Sequence, residues 1–187
     1  MKKLFITVAL ILSSVVSVGS STNKNDVWTF QSYNTMMADR EKQHECLAKN
    51  IYFEARNEPF VGQFAVALVT LNRVHDSAFP NTICEVVQQG IHHYNKNLKK
   101  FFPARDRCQF SWYCDGKLDD PDLKSRSWED SKMLAEFVLS SHYDKSLIDI
   151  TDGATHYHAN WMEQYPTWAN RKKIMAQIDR HIFYKSY

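Results

Sequence analysis

The sequence has few chain-breaking residues and lacks the short motifs of several large enzyme classes. Its 187 residues include only 5 glycines and 5 prolines and no low-complexity run, which argues against long linkers and repeat arrays. Neither an H-E-x-x-H zinc motif nor a G-x-S-x-G nucleophile motif occurs. The length fits one domain, and 44% hydrophobic and 24% charged residues are typical of a globular protein.

A membrane-spanning hydrophobic run is also lacking, although a shorter run begins the chain. Lys2 and Lys3 precede the apolar residues 4–18, and small residues follow. This order is typical of a secretory signal peptide, and the run is shorter than the ~20 residues that a membrane helix needs. We predict that residues 1–20 are a signal peptide, with an uncleaved anchor as the alternative. The rest of the chain is then exported, to the periplasm or outside the cell.

Excess charge of one sign is missing from the exported part. Of 23 basic and 21 acidic residues, only Lys2 and Lys3 lie in residues 1–20, which leaves 21 of each sign in the remainder. A nucleic-acid-binding protein needs a basic surface. We therefore expect no nucleic-acid partner, and no membrane contact except through the signal segment if it stays uncleaved.

The exported part contains four cysteines and no C-x-x-C pair. In an oxidising compartment an even number favours disulfides over a four-cysteine zinc site, which usually contains such pairs. Two disulfides can be formed in three ways, and the spacing does not choose among them. The candidates are Cys46, Cys84, Cys108 and Cys114.

The hydrophobic pattern predicts a mainly helical α+β domain with a small antiparallel sheet. Residues 21–42 have no sustained period and are interpreted as a spacer or arm, and residues 43–187 as the domain. A first helix is expected from Glu41 to the region before Pro59, and an apolar, buried second helix follows Gly62.

Capping patterns and alternation predict the remaining elements. Thr82 should cap a short helix, and a helix from Ser127 should bury Met133, Leu134, Phe137 and Val138. We expect residues 90–107 to be a loop, residues 108–114 and 154–159 to be extended, and residues 174–183 to form two short strands that meet at Asp179–Arg180.

Glu54 is the most informative charged residue. It follows Leu47 by seven residues and Ile51 by three, which places it within about 60° of both on the apolar stripe of the first helix. A carboxyl group on such a stripe loses hydration, and its pKa rises. A glycoside-cleaving enzyme needs an acid of this kind. The alternative is a structural ion pair with Arg56, Arg73 or another cation.

Five ordered motifs give Glu54 a more specific interpretation. The run Ala48–Val74, with its E-A-R-x-E-P segment, is similar to the signature of the SleB-type cell-wall hydrolases, which include spore-cortex-lytic enzymes. The likeness covers essentially all of residues 44–187. It continues through the segments Phe79–Val87, Cys108–Gly116, Gly153–Ala159 and His181–Tyr184.

This resemblance implies a lysozyme-like fold and cleavage of peptidoglycan between N-acetylmuramic acid (MurNAc) and N-acetylglucosamine (GlcNAc). Many members are lytic transglycosylases, in which one carboxyl group is first acid and then base. The E-A-R glutamate of the family falls on Glu54, and no cofactor or metal is implied. The family often has glycine near Asp179, but aspartate tolerates the left-handed conformation that such a turn requires.

The resemblance also indicates supporting residues. Glu58 is interpreted as a second carboxylate near Glu54 or as a loop-fixing acceptor, and Ser111 and Tyr157 should face the groove. His158 should anchor the sheet through hydrogen bonds, although His156 and His158 could instead share a metal.

We expect a monomer that acts on peptidoglycan glycan strands. The alternatives are an N-acetylmuramoyl-L-alanine amidase, whose chemistry usually requires zinc, and a non-catalytic wall-binding domain.

Overall fold

The computed structural model describes residues 30–187, so the predicted signal peptide and the first part of the predicted arm lie outside the described residues. These residues form four α-helices and two small antiparallel sheets, in agreement with the α+β prediction. Three helices precede the first sheet, and the fourth lies between the two sheets in the chain. The helices are α1 (Phe30–Ala55), α2 (Phe60–His75), α3 (Ile83–Val87) and α4 (Arg126–Tyr143). The strands are β1 (Gly90–Asn95), β2 (Lys100–Cys108), β3 (His156–Ala159), β4 (Lys173–Ile178) and β5 (His181–Lys185).

Helices α1, α2 and α4 enclose the main hydrophobic core. Leu47 and Ile51 of α1 are fully buried there, with Ala67 of α2 and Val138 of α4. Helix α2 is buried on nearly every side, as its apolar sequence predicted. Among the described residues, no helix is both long and apolar enough to cross a membrane.

The first helix begins eleven residues before the predicted start at Glu41. Residues 31–39 are exposed, and their only apolar repeat, Tyr33, Met36 and Met37, covers a single turn and was missed. Arg40 forms an ion pair with Glu136 of α4, which ties this turn of α1 to the core. The predicted boundary at residue 42 therefore falls inside one continuous helix.

The caps of the two later helices were predicted with mixed success. Thr82 caps α3 as expected, because its hydroxyl accepts a hydrogen bond from the Glu85 backbone N–H at 3.3 Å. Helix α4 is capped by Ser125 instead of Ser127, through the Trp128 backbone N–H at 3.2 Å.

This two-residue difference in the cap accompanies a wrong assignment of the buried face of α4. Leu134 and Val138 are buried as predicted, but Met133 and Phe137 are 57% and 54% exposed.

Residues 90–108 form a hairpin, which corrects the predicted loop at residues 90–107. Strands β1 and β2 pair antiparallel, and the Asn95 side chain closes the turn by accepting from the backbone N–H groups of Asn97 and Leu98, each at 3.0 Å. Both strands are largely exposed, so their sequence shows no inward–outward alternation. The predicted extended segment after β2 is also wrong, because Ser111–Cys114 is a 3-10 helix.

The second sheet has the strand order β3-β5-β4 and agrees with the predicted strands. Asp179 adopts φ 47° in the turn between β4 and β5, the left-handed conformation expected of it. Phe183 of β5 is fully buried and packs against Ala65 and Val69 of α2. This contact holds the sheet against the helical core.

Two disulfides are present, as the cysteine count predicted. Cys46–Cys84 joins α1 to α3, and Cys108–Cys114 joins the end of β2 to the end of the 3-10 helix. The first disulfide therefore lies in the helical core, and the second lies at the base of the hairpin.

Candidate active site

The structure places Glu54 in the last turn of α1, opposite strand β3. Its Oε2 atom accepts a hydrogen bond from the hydroxyl group of Tyr157 at 2.9 Å. Burial raises the pKa of the Glu54 carboxyl group, and the Tyr157 hydrogen bond and the charge of Arg73 oppose this rise only in part. The sequence-based prediction of a carboxyl group that loses hydration therefore agrees with this geometry.

The predicted alternative for Glu54, a structural ion pair, is not present among the described residues. The guanidinium group of Arg56 lies over the ring of Tyr52, 4.8 Å from its centroid. Arg73 is 4% exposed and donates through Nε to the Thr155 carbonyl at 2.7 Å. Neither cation neutralises the carboxyl group directly.

Arg73 nevertheless contributes a buried positive charge near the site. Its guanidinium carbon lies 5.3 Å from the ring centroid of Phe79 and 4.8 Å from that of Phe110. The Nη1 atom is buried without a hydrogen-bond partner. Burial raises the pKa of both Glu54 and Tyr157, and the positive charge of Arg73 opposes part of each rise.

Glu54 lines a cavity of about 410 Å³ between α1 and the segment that follows β2. Ser111 lines the same cavity, whereas Tyr157 is not one of the lining residues and reaches the site through its hydrogen bond to Glu54. The other lining residues are Phe53, Arg56, Trp112, Asp115, Lys117, Leu118 and Asp119.

A buried polar network holds the wall of this cavity in place. The Trp112 indole N–H donates to Asn50 Oδ1 at 3.0 Å, and Asn50 Nδ2 donates to Thr70 Oγ1 at 3.0 Å. The Trp112 ring stacks on Phe53, with centroids 4.7 Å apart. Satisfied buried networks of this kind fix side-chain positions, so Trp112 and its neighbour Ser111 are held relative to Glu54.

Two carboxyl groups of the cavity were missed by the sequence interpretation. A hydrogen bond from the Lys117 backbone N–H, at 2.8 Å, lowers the pKa of Asp115. Partial burial and then the nearby charge of Asp115 raise the pKa of Asp119. The acidic run that follows the Asp115–Gly116 turn was the available signal, but nothing in it indicated which residues face the cavity.

Glu58 lies apart from this cavity. Its carboxylate accepts from Arg180 Nε at 3.0 Å and pairs with Arg180 Nη2 at 2.8 Å. Arg180 Nη2 also donates to the Asn57 carbonyl at 2.8 Å. Of the two roles considered for Glu58, the geometry matches the acceptor that fixes a loop, here against the β4–β5 turn.

His158 lies within the second sheet and outside the cavity. Its Nε2 atom is 2.8 Å from the Tyr184 hydroxyl group, and its Nδ1 atom is 2.9 Å from the Ala159 carbonyl oxygen. His156 is half-buried, and burial with the charges of Lys172 and Arg73 lowers its pKa to about 4. Within residues 30–187 no group of three His, Cys, Asp or Glu side chains is placed to hold a metal ion.

The site therefore combines a carboxyl group of raised pKa with a cavity that can admit a ligand. A carboxyl group that keeps its proton towards neutral pH can donate it to a leaving group, and its conjugate base can then remove a proton. These features define a candidate acid–base catalyst.

Comparisons with known proteins give this candidate a family. Residues 57–184 match the family model described as Cell Wall Hydrolase, and Glu54 lies three residues before this range. The chain is 36% identical over 69 residues to the spore cortex-lytic enzyme of Oceanobacillus iheyensis, covering 37% of this chain and 25% of that protein. It is 49% identical over 43 residues to that of Bacillus cereus, covering 23% and 17%. The matches thus span a quarter or less of these relatives.

Two solved structures are similar over most of their length. The catalytic domain of the Bacillus cereus SleB protein matches with a TM-score of 0.53 and 26% identity, over 78% of this chain and 91% of that one. The catalytic domain of the germination-specific lytic transglycosylase SleB from Bacillus anthracis matches with a TM-score of 0.53 and 28% identity, over 76% and 93%.

The chain belongs to the cell wall hydrolase family. The predicted SleB-type resemblance and the predicted lysozyme-like α+β class are both confirmed.

Proposed function

We propose that this chain cleaves the glycan strands of peptidoglycan between MurNAc and GlcNAc, as a lytic transglycosylase with Glu54 as general acid and then base. The observation that carries the proposal is the raised pKa of a carboxyl group held by Tyr157 at the edge of a cavity. The name of the Bacillus anthracis relative, a lytic transglycosylase, supports the same reaction class. The enzyme would act outside the cytoplasm, as a monomer.

The Tyr157 hydrogen bond determines which carboxyl oxygen carries the proton. Because Oε2 already accepts from Tyr157, we assign the transferable proton to Oε1 in the proposed reaction. In the first step Glu54 gives this proton to the glycosidic oxygen. The bond from that oxygen to the muramyl C1 atom breaks, and its electron pair stays on the departing GlcNAc hydroxyl group. Positive charge then develops at C1.

In the second step the Glu54 carboxylate removes the proton of the muramyl C6 hydroxyl group, whose oxygen bonds to C1. The product is an anhydro sugar, and Glu54 regains its proton without consuming water. Tyr157 and Arg73 both lower the pKa of Glu54 relative to burial alone, so they stabilise the carboxylate formed between the two steps. Burial thus favours the protonated Glu54 that acts in the first step, and Tyr157 and Arg73 favour the carboxylate that acts in the second.

The cavity wall supplies contacts for the sugar. Trp112 and Phe53, whose rings stack on each other, line the cavity with Glu54, and Ser111 lines it as well. In the proposed reaction Ser111 orients the substrate by hydrogen bonding, while Glu58 and His158 maintain the surrounding fold.

The test compares Glu54→Gln with Glu129→Gln on purified peptidoglycan. Glutamine keeps the shape of Glu54 but cannot donate a proton as an acid, so release of soluble fragments should fall about 100-fold or more. Glu129 is on α4, in an exposed pair with Lys132, and its substitution should leave the rate unchanged. Equal activity of the wild type and Glu54→Gln would refute the proposed role of Glu54.

Asp115 and Asp119 favour one second candidate, a muramidase that uses water. Inverting glycosidases place a carboxylate across the cleft from the acid, where it activates a water molecule. Both aspartates line the cavity with Glu54, and the lowered pKa of Asp115 keeps it in the ionised form that a base requires. A muramidase should lose activity in Asp115→Asn and yield reducing ends. The proposed transglycosylase should retain activity and yield anhydro ends.

A further inference from the structure

The β1–β2 hairpin carries large apolar side chains that the fold does not bury. Tyr94 and Phe101 are 51% and 69% exposed, and Phe102 is 42% exposed. Surface clusters of this kind commonly mark interaction sites. One face of the hairpin contacts residues that lead to the Glu54 cavity. This contact identifies that face as an extension of the candidate active site.

One face continues a row of rings that begins in the cavity. Trp112 lines the cavity, and its ring centroid lies 6.1 Å from that of Tyr113. The Tyr113 ring lies 6.3 Å from that of His92 on β1. Trp112 and Asp119 also line a second cavity, of about 320 Å³, which Tyr113 borders. The two cavities therefore share Trp112 and Asp119, and Tyr113 links the second cavity to His92 at the base of the hairpin.

The strand register carries this row outwards. His92 pairs with Pro103 and Tyr94 pairs with Phe101, so these four residues share one face. The Tyr94 and Phe101 ring centroids are 5.0 Å apart. Phe102, paired with His93, belongs to the opposite face. A six-residue strand is ~20 Å long, enough to follow several consecutive sugar rings.

The base of the hairpin is held against the site. The Cys108–Cys114 disulfide ties β2 to the 3-10 helix that carries Ser111. The Gln109 backbone N–H donates to the Gln89 carbonyl at 2.8 Å. At Gly90 an added Cβ would lie 2.9 Å from the Arg107 carbonyl oxygen, so the two strands approach too closely for a side chain there. The hairpin face is thus positioned relative to Glu54.

The charge of the hairpin matches an acidic polymer. Between Glu85 and Asp106 the chain has no acidic residue, and it has the basic residues Lys96, Lys99, Lys100 and Arg105. Peptidoglycan strands carry short peptides with free carboxylates, which such a cluster attracts. Residues 21–187 carry 21 basic and 21 acidic residues in total, so this local basic excess is offset by an acidic excess in the rest of that range.

We propose that the face formed by His92, Tyr94, Phe101 and Pro103 is a remote subsite for the glycan strand. Aromatic rings of Tyr94 and Phe101 stack on sugars several units from the cleaved bond, and Lys96 and Lys99 of the hairpin turn bind stem-peptide carboxylates. Lys100, which pairs with Asn95, belongs to the opposite face. The proposal rests on the proposed function for its substrate. It adds that the enzyme prefers long strands to short fragments.

The competing occupant of this hairpin is an anionic lipid surface, since exposed aromatic residues and lysines also suit a membrane interface. A bilayer would engage the hairpin tip and both of its faces. A strand that leaves the Glu54 cavity would follow one face only. Phe101 and Phe102 are adjacent phenylalanines on opposite faces, so they form a matched pair that separates the two cases.

The experiment measures binding to purified sacculi in the non-cleaving Glu54→Gln background, with Phe101→Ala or Phe102→Ala added. We expect Phe101→Ala to weaken binding roughly tenfold, the factor that corresponds to about 1.4 kcal/mol, and Phe102→Ala to leave it unchanged. Equal binding by both variants, or equal losses, would overturn the subsite. Unfolding temperatures should be unchanged, because both side chains are exposed.

Two further measurements separate the subsite from the lipid interpretation and from the reaction itself. With Glu54 intact, Phe101→Ala should slow digestion of sacculi roughly tenfold and that of a single tetrasaccharide much less, because a short fragment makes fewer contacts beyond the cavity. Loss of binding to phosphatidylglycerol vesicles in both phenylalanine variants, with sacculus binding intact, would replace the subsite by a membrane contact. If the wild type binds sacculi through Phe101 but cleaves nothing, the proposed function fails and the subsite stands.

Discussion

The helical core and the β1–β2 hairpin are built on opposite principles. Around Glu54 the side chains are buried and hydrogen-bonded, and the Trp112–Asn50–Thr70 network joins the cavity wall to α1 and α2. The hairpin leaves most of its side chains in water and is fixed to the rest of the molecule at its base. Acid catalysis requires a carboxyl group that has lost hydration, whereas capture of a polymer requires exposed contacts. The helical core meets the first requirement, and the hairpin meets the second.

The largest expected effect contrasts the two disulfides that serve these regions. Replacing Cys46 and Cys84 with alanine should lower the free energy of unfolding by about 4 kcal/mol, because the bond spans 38 residues of the core. Replacing Cys108 and Cys114 should cost about 2 kcal/mol, because its loop spans only 6 residues. Urea denaturation of both double variants measures the difference. A larger loss of unfolding free energy from replacing Cys108 and Cys114 would contradict this contrast between the core and the hairpin.

A smaller effect is expected from Tyr157→Phe, which alters the core site and leaves the hairpin intact. Loss of the hydrogen bond to Glu54 should lower the rate about 10- to 100-fold, equally for short and long strands. Because this bond lowers the pKa of Glu54, its removal should raise that pKa and shift the high-pH limb of the rate profile upwards. Tyr165→Phe, on an exposed tyrosine, is the control. An unshifted limb would show that Tyr157 does not act through Glu54.

The smallest effect concerns stability, where Glu54→Gln should be beneficial. Burial raises the pKa of Glu54 in the folded state, so the unfolded chain binds fewer protons between the ordinary and the raised pKa. Stability contributed by this group is present below its ordinary pKa and declines as pH rises through that interval. Glutamine removes the decline, so the variant should melt about 2 to 4 °C higher near neutral pH and show little difference near pH 4. A lower melting temperature of the variant at neutral pH would contradict the idea that the buried Glu54 carboxylate destabilises the fold.

The same contrast explains how much of the molecule could be predicted from sequence. The spacing of Glu54 from Leu47 and Ile51 was sufficient to place it on a buried stripe, because packing imposes a helical period on buried segments. Helix α2 and the strands of the second sheet were predicted for the same reason. Their apolar residues repeat with the period of the element that buries them.

Exposed elements show no such extended apolar period in the sequence. The first turns of α1 and both strands of the hairpin lie mostly in water, so no long apolar period marks them, and the helix start and the hairpin were missed. In α1 the repeat of Tyr33, Met36 and Met37 covers only one turn. Asp115 and Asp119 were missed for a related reason, since only the path of the chain after the 3-10 helix turns them towards Glu54. Met133 and Phe137 show that an apolar residue on a helix is not necessarily on its buried face.

Mass spectrometry of the fragments released from peptidoglycan tests the central claim most directly. We expect the wild type to release muropeptides with anhydro-muramyl ends, and Glu54→Gln to release almost none. Reducing ends from the wild type would indicate attack by water and favour the muramidase, and free stem peptides would indicate an amidase. Release of the same anhydro products by Glu54→Gln would contradict the account, because the reaction would then proceed without the one carboxyl group assigned to both of its steps.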